Sequence, residues 1–303
     1  MKQTRRRFLA NASVASAAIG ITGISNVSNP LPSTNNGFGL KIYATRWGFK
    51  GSMDAFCKQV KAEGYDGVED WFPGNETQES FFEAMDKYNL SYGALVGSSG
   101  SSFEDYRDSY SSNLEKAISV KPDFINSHAG RDFITADQSK ELINLGIEKS
   151  KVSGIPVYQE THRGRMLFAP HICRYFLDVV PELRITLDIS HWCVVAESLL
   201  GNQEEAVSIA LNRTDHIHAR IGHEEGPQVP EPRAPEWKMA TNAHFEWWDK
   251  VVAIKKEADV PLTVTTEFGP ANYMWTTPYT RQPIADQWEI NVYMMNEWRK
   301  RYL

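Results

Sequence analysis

The stretch Leu183-Arg184-Ile185-Thr186-Leu187-Asp188-Ile189-Ser190-His191-Trp192 decides the fold. An apolar run ends in an acid, and a histidine follows three residues later. Ile185, Leu187 and Ile189 are too apolar for a surface loop, and Thr186 favours extended backbone. The run therefore reads as a buried strand whose C-terminal end delivers Asp188 into a site. A carboxylate there has no solvent by default and needs a partner. Taken alone, Asp188 is equally well explained as a cap for the helix that follows. Three other stretches end in the same way, and they shift the balance.

Working outward, strand signals alternate with helix signals. Strands are expected at Leu40 to Ala44, around Gly64-Tyr65-Asp66-Gly67-Val68-Glu69, at Leu90 to Val96, at Asp123 to His128 and at Ile155 to Glu160. The quoted stretch, Thr214 to Ile221 and Pro261 to Glu267 complete the set. Between them, apolar residues recur at helical spacing, as in Met53, Phe56, Cys57 and Val60, or Tyr106, Tyr110, Leu114 and Ile118. Ala196 to Leu211 reads as one helix. Eight such units in roughly 260 residues match a (β/α)8 TIM barrel in a single domain. No strand shows clean alternation, as expected where both faces are covered. A doubly wound open sheet is the alternative, but it wants a glycine-rich phosphate turn after an early strand, and none is present.

The ends of the chain carry other signals. Thr4-Arg5-Arg6-Arg7-Phe8-Leu9 fits a twin-arginine export signal, and the stretch from Ala10 to Ile24 is too weakly apolar for a membrane span. Residues 1–37 therefore read as export signal and linker, and 38–303 as the barrel. With no cysteine before Cys57, no stable membrane anchor is expected, and the mature protein belongs in the periplasm or beyond. The three cysteines, Cys57, Cys173 and Cys193, give no disulfide framework and read as buried thiols. A net charge of -6 argues against a nucleic-acid partner. Gly222 to Ala243, with Pro227, Pro230, Pro232 and Pro235, is long for a structureless connection and reads as a lid or wall over the barrel mouth.

Four strand ends now align. Glu160, Asp188, His218 and Glu267 close strands five to eight, 28, 30 and 49 residues apart in turn. These intervals are one unit, one unit, and one unit plus the long loop, so all four face one mouth. Three carboxylates converging in an apolar cavity repel one another, and one would have to take up a proton unless a divalent cation removes the conflict. Three oxygens and an imidazole suit manganese best, with magnesium, cobalt or zinc as alternatives. His216 lies two residues from His218 on the same strand face and is the other candidate ligand.

Here the chain resembles the xylose-isomerase-like barrels usually labelled sugar phosphate isomerases and epimerases. The likeness is carried by the Gly64-to-Glu69 strand, Glu160, Asp188 with His191, His218 and Glu267. It implies that Glu160, Asp188, His218 and Glu267 hold one divalent metal, that Glu160 and Glu267 also act as acid and base, and that His191 touches substrate. The chain departs from that pattern after the seventh strand. Ala219-Arg220 stands where many relatives have Lys-Asp, and His223-Glu224-Glu225 stands where the epimerases have an arginine. Arg220 is the candidate replacement for either.

Trp47, Trp71, Phe72, Trp192 and Trp275 follow strand ends and offer aromatic faces to a sugar ring. His128, His162 and Arg163 offer groups to its hydroxyls. The candidate substrate-binding set is thus His128, His162, His191, Arg220, Trp71 and Trp192. The expected reaction is proton abstraction next to a carbonyl on an unphosphorylated sugar, giving an isomer or epimer. β-Elimination or hydration on a 3-keto-glycoside shares the same enediolate. A non-catalytic sugar-binding protein with a relic metal site is the alternative of another class, and a homo-oligomer is possible in any case.

Overall fold

The computed structural model describes residues 37–303, so the segment read as an export signal lies outside the described residues. Eight parallel strands close into a barrel in sequence order. They are β1 (Leu40–Thr45), β2 (Gly67–Trp71), β3 (Ser91–Gly97), β4 (Phe124–His128), β5 (Val157–Glu160), β6 (Ile185–Leu187), β7 (Thr214–Ala219) and β8 (Leu262–Thr266). The helices around them are α1 (Met53–Glu63), α2 (Gln78–Lys87), α3 (Phe103–Ser119), α4 (Ala136–Ser153), α5 (Pro170–Val179), α6 (Ser190–Val195), α7 (Glu204–Leu211), α8 (Lys238–Glu257) and α9 (Gln287–Tyr302). Capping boxes at Ser102 with Asp105 and at Thr135 with Gln138 fix the starts of α3 and α4, satisfying N–H groups that have no partner within the helix. None of the described helices is long and apolar enough to cross a membrane.

The strand register sorts residues to two faces. Ile42, Ala44, Val68, Ala94, Val96, Ile125, Ile185, Leu187, Ile217 and Val264 belong to the outer phase and are buried against the helices. The inner phase is different. At its lower level lie Tyr43, Gly67, Gly93, Phe124, Tyr158 and His216. Tyr43 meets Phe124 edge-on at 5.2 Å, and Phe124 packs at 4.2 Å on His216 and at 6.1 Å on Tyr158. One level higher the inner phase turns polar, with Glu69, Asn126, Glu160, His218 and Thr265, all at most 2% exposed. Alternation is therefore present in the strands. It pairs aliphatic outward positions with aromatic or polar inward ones, so it does not read as hydrophobic against polar.

Two expectations need correction. The helix expected over Ala196 to Leu211 is two pieces. Strand β6 stops at Leu187, and α6 begins at once with Ser190, where Asp188 Oδ1 accepts the backbone N–H at 3.2 Å. The chain then turns through Gly201-Asn202 into α7. The long connection after β7, Gly222 to Ala243, expected as a lid or wall of the pocket, supplies no residue to the lining of the mouth cavity. Val229 and Gln228 are buried, and the Gln228 side chain pairs with the Gly269 backbone at 2.7 and 3.2 Å. Trp237 packs at 5.8 Å on Trp275 in the connection after β8. The segment thus backs that neighbouring connection. The three cysteines are buried free thiols, as expected.

The aromatic floor depends on two missing side chains. A Cβ on Gly93 would run into the Phe124 ring, and one on Gly67 would lie 2.5 Å from both the Ser91 carbonyl and the Tyr43 ring. Since the Ser91 carbonyl is backbone in a neighbouring strand, it has little room to give. Gly67→Ala should therefore destabilise the barrel by about 1–3 kcal/mol through overpacking. Thermal unfolding checks this, and an unchanged Tm would mean that the floor has slack.

Candidate metal centre and mouth cavity

The barrel brings the four strand-end groups together. Asp188, His218 and Glu267 each offer an atom within 4.8 Å of the others, and Glu160 does the same with Asp188 and His191. His218 Nδ1 lies 2.9 Å from Glu267 Oε2 and 3.7 Å from Glu160 Oε2. Glu160 ends β5 and His218 lies within β7, while Asp188 and Glu267 each follow their strand by one residue.

A layer beneath fixes these groups. His218 Nε2 lies 3.0 Å from Glu69 Oε1. A carboxylate only accepts, so Nε2 carries a proton, and Nδ1 is the nitrogen turned to the mouth, from which a cation would displace any proton. Asn126 Nδ2 donates to Glu69 at 3.1 Å and to Glu160 Oε2 at 2.7 Å, one amide spanning two carboxylates. His216 stands behind Glu69, with Nε2 at 3.1 Å from its Oε2 and Nδ1 at 2.8 Å from Thr263 Oγ1. Of the two seventh-strand histidines, it is therefore His218 that reaches Asp188 and Glu267.

The donor set fits a divalent cation. Glu160 Oε1 and His218 Nδ1 are buried without a hydrogen bond; the contact of Nδ1 with Glu267 is short but not aligned as one. Glu69, Glu160, Asp188 and Glu267 put four carboxylates into this space, and the one guanidinium among them, Arg220, contacts Asp188 and lies 3.3 Å from Glu267. One fixed positive charge against four negative ones leaves an excess that a cation would remove. The buried His, Glu and Asp cluster can therefore hold a metal ion.

The electrostatics follow from this crowding. Burial alone would lower the His218 pKa, but Glu267, Glu69 and Glu160 outweigh it and hold the imidazole well above its ordinary value. Burial works the other way on Glu160, yet His128 and His218 keep its carboxyl well below the usual range. Burial pushes Asp188 up to about 6; Arg220 opposes this, and Glu267 and Glu160 add to it. Burial takes His162 down to about 4, so it is neutral at pH 7.

Above the cluster opens a cavity of about 460 Å³, lined by Trp47, Trp71, His128, His162, Arg165, Arg220, Glu267 and Tyr273 among others. That volume lies within the range of small-ligand sites. A second hollow of about 390 Å³, between Lys41, Tyr65 and Ser91 at the opposite end of the barrel, touches none of these groups. Trp71 is 49% exposed at the rim, its ring 5.3 Å from His128. His128 Nε2 lies 2.5 Å from Glu160 Oε2. Arg220 is 1% exposed and stacks on Tyr273 at 4.9 Å. His191 lies deeper, fully buried 3.8 Å behind the His162 ring and 2.8 Å from Arg220.

Trp192 departs from its expected role. It is fully buried on α6, and its indole N–H donates to the Leu167 carbonyl at 2.9 Å. The helix starts so soon after Asp188 that its first turn, Ser190 to Cys193, is buried in the core. Sequence reasoning gave no role to Asn126, Arg165 or Tyr273 and used Glu69 only as part of a motif. Strand parity was the available signal for Glu69 and Asn126, since both share the inner phase with Glu160 and His218. Tyr273 comes from an irregular connection, where no periodicity could have marked it.

No family model and no curated protein matches the chain. Solved structures do. The 3-keto-D-glucoside 4-epimerase YcjR from E. coli aligns with a TM-score of 0.58 at 15% identity, over 86% of this chain and 100% of that one. A D-allulose 3-epimerase from Methylomonas sp. gives 0.56 at 15% identity, over 87% and 98%. The probable 3-DHS dehydratase AsbF from Bacillus anthracis gives 0.54 at 15%, over 87% and 100%. At these identities the likeness is one of fold, the closed eight-stranded parallel barrel with helices between its strands.

The different settings of the two tryptophans are testable by thermal unfolding. Trp192→Ala should cost roughly 3–5 kcal/mol as a core truncation. Trp71→Ala should stay within about 0.5 kcal/mol of the parent, as expected for an exposed rim residue. Equal losses would contradict this placement.

Proposed function

We propose that the protein is a divalent-metal-dependent isomerase or epimerase that abstracts a proton next to the carbonyl of an unphosphorylated sugar. The supporting observation is that His218 Nδ1 and Glu160 Oε1 lie buried without a hydrogen bond among converging carboxylates beneath an aromatic-rimmed cavity. Glu160, Asp188, His218 and Glu267 are the residues that would hold the metal, most plausibly manganese on the hardness of the donor set. Bound there, the cation supplies Lewis acidity toward a carbonyl and the neighbouring hydroxyl.

The chain's own groups do the rest. Glu160 is ionised at neutral pH, the state a base requires; Asn126 donates to one of its oxygens, His128 Nε2 lies 2.5 Å from the same one, and the other stays free. Glu267, across His218 from Glu160 and open to the cavity, is placed to exchange a proton from a second direction. Return of the proton to the opposite face gives an epimer, and return to the neighbouring carbon gives an isomer. His162, neutral at pH 7, offers a substrate hydroxyl a hydrogen bond without adding charge. Trp47 and Trp71 offer apolar faces for a sugar ring.

One observation favours a second outcome. His128 lines the cavity 2.5 Å from Glu160, so a proton taken by the carboxylate has a carrier toward a departing oxygen. This supports β-elimination on a 3-keto-glycoside, and a neighbouring fold belongs to a probable dehydratase. We also propose that Arg5-Arg6-Arg7 directs export, so that the site meets sugars in the periplasm.

Chelation followed by dialysis should abolish turnover across a panel of keto-sugars and keto-glycosides, and manganese should restore it. Accumulation of an unsaturated sugar identifies the lyase, and an epimer excludes it. Sugar binding without turnover, under any of manganese, magnesium, cobalt or zinc, would leave only a binding protein. Glu160→Gln should cost roughly a hundredfold or more in kcat with little change in Tm. Glu69→Gln, which touches no substrate, should weaken manganese binding about 10- to 100-fold by calorimetry, because His218 loses its anionic support.

A further inference from the structure

Three guanidinium groups line the mouth cavity: Arg46, Arg165 and Arg220. Arg46 is paired with Asp70, and Arg220 with Asp188 and Glu267. Arg165 differs. Among the described residues no carboxylate oxygen lies within 4.0 Å of it, and its hydrogen bond is from Nη1 to the Gly130 carbonyl at 3.3 Å. It is partly buried; burial and then the nearby Arg131 work against its charge, and Glu160, outside contact distance, offsets this only in part. A guanidinium does not escape that cost by losing its proton. A partly desolvated cation on the wall of a ligand cavity, left without a protein counter-ion, calls for an anion from the ligand.

The floor of the same cavity has the opposite character. Four carboxylates lie there with one guanidinium, a setting that repels a second anion and suits neutral carbonyl and hydroxyl oxygens around a metal. A ligand satisfying both ends is neutral where it meets the floor and anionic where it meets the wall. We infer that Arg165 binds a carboxylate carried by the substrate, which is therefore a sugar acid such as a hexuronate or a glycoside of one. The planar fork of this guanidinium matches a planar carboxylate. The chain has no glycine-rich turn of the kind that cradles a phosphate dianion. The inference deepens the proposed reaction at this site and rests on it for the sugar part of the ligand.

Equilibrium binding tests it without requiring turnover. The manganese-loaded full chain is titrated calorimetrically with glucuronate and galacturonate, with glucose and galactose as neutral counterparts, and with glucose 6-phosphate. At least one uronate should bind about tenfold or more tightly than its neutral counterpart, the value of one charge-assisted pair. Arg165→Gln should remove that preference while leaving the weak binding of the neutral sugar unchanged, and Arg165→Lys should keep part of it. Absence of uronate preference overturns the inference, as does a preference that survives in Arg165→Gln. Tightest binding by glucose 6-phosphate, lost in Arg165→Gln, overturns the carboxylate assignment in favour of phosphate. The two proposals fail separately. An inactive protein that prefers uronates through Arg165 refutes only the reaction, and an active one that binds neutral sugars equally well refutes only the sugar acid.

Discussion

Four carboxylates confined to the mouth of one barrel set the terms for everything around them. Glu69, Glu160, Asp188 and Glu267 could not share that volume without compensation. The structure compensates in layers. Arg220 is drawn in between Asp188 and Glu267, Ser190 caps the remaining Asp188 oxygen, Asn126 bridges Glu69 to Glu160, and His218 lies between Glu69 on one side and Glu267 on the other. What is left over, the His218 Nδ1 and the Glu160 Oε1 without hydrogen bonds, is what a cation would take.

The same pressure explains why Arg220 is so deep. From the sequence it reads as a reach toward substrate, in place of the Lys-Asp pair of the resembling barrels. In the fold it is 1% exposed and serves first as a counter-ion, with the Tyr273 ring over its other face. Arg165, by contrast, comes from the connection after β5, has no such obligation, and faces the open cavity.

The barrel was legible because strand length, helix spacing and unit count all pointed to it, and the ends at Glu160, Asp188, His218 and Glu267 fell within a residue of their expected places. Trp192 was not legible, because its orientation depends on how soon α6 begins after Asp188, and that is settled by the hydrogen bond from Ser190 to the aspartate. Asp188 was read as either a site residue or a cap; one of its oxygens caps and the other faces Arg220. Glu69 and Asn126 were legible in principle. The strands do alternate, but the partner of each aliphatic residue is an aromatic, a glycine or a buried acid, so a hydrophobic-against-polar pattern did not reveal the period.

The aromatic floor has a consequence for traffic. Tyr43 and Phe124, at most 1% exposed, close the barrel below the carboxylates, and Gly67 and Gly93 let them do so without a gap. Among the described residues the site is a blind well, closed below and open at the mouth. Reactant, product, water and any exchanging hydron must pass the same ring of Trp47, Trp71 and Tyr273, so departure of one molecule has to precede arrival of the next.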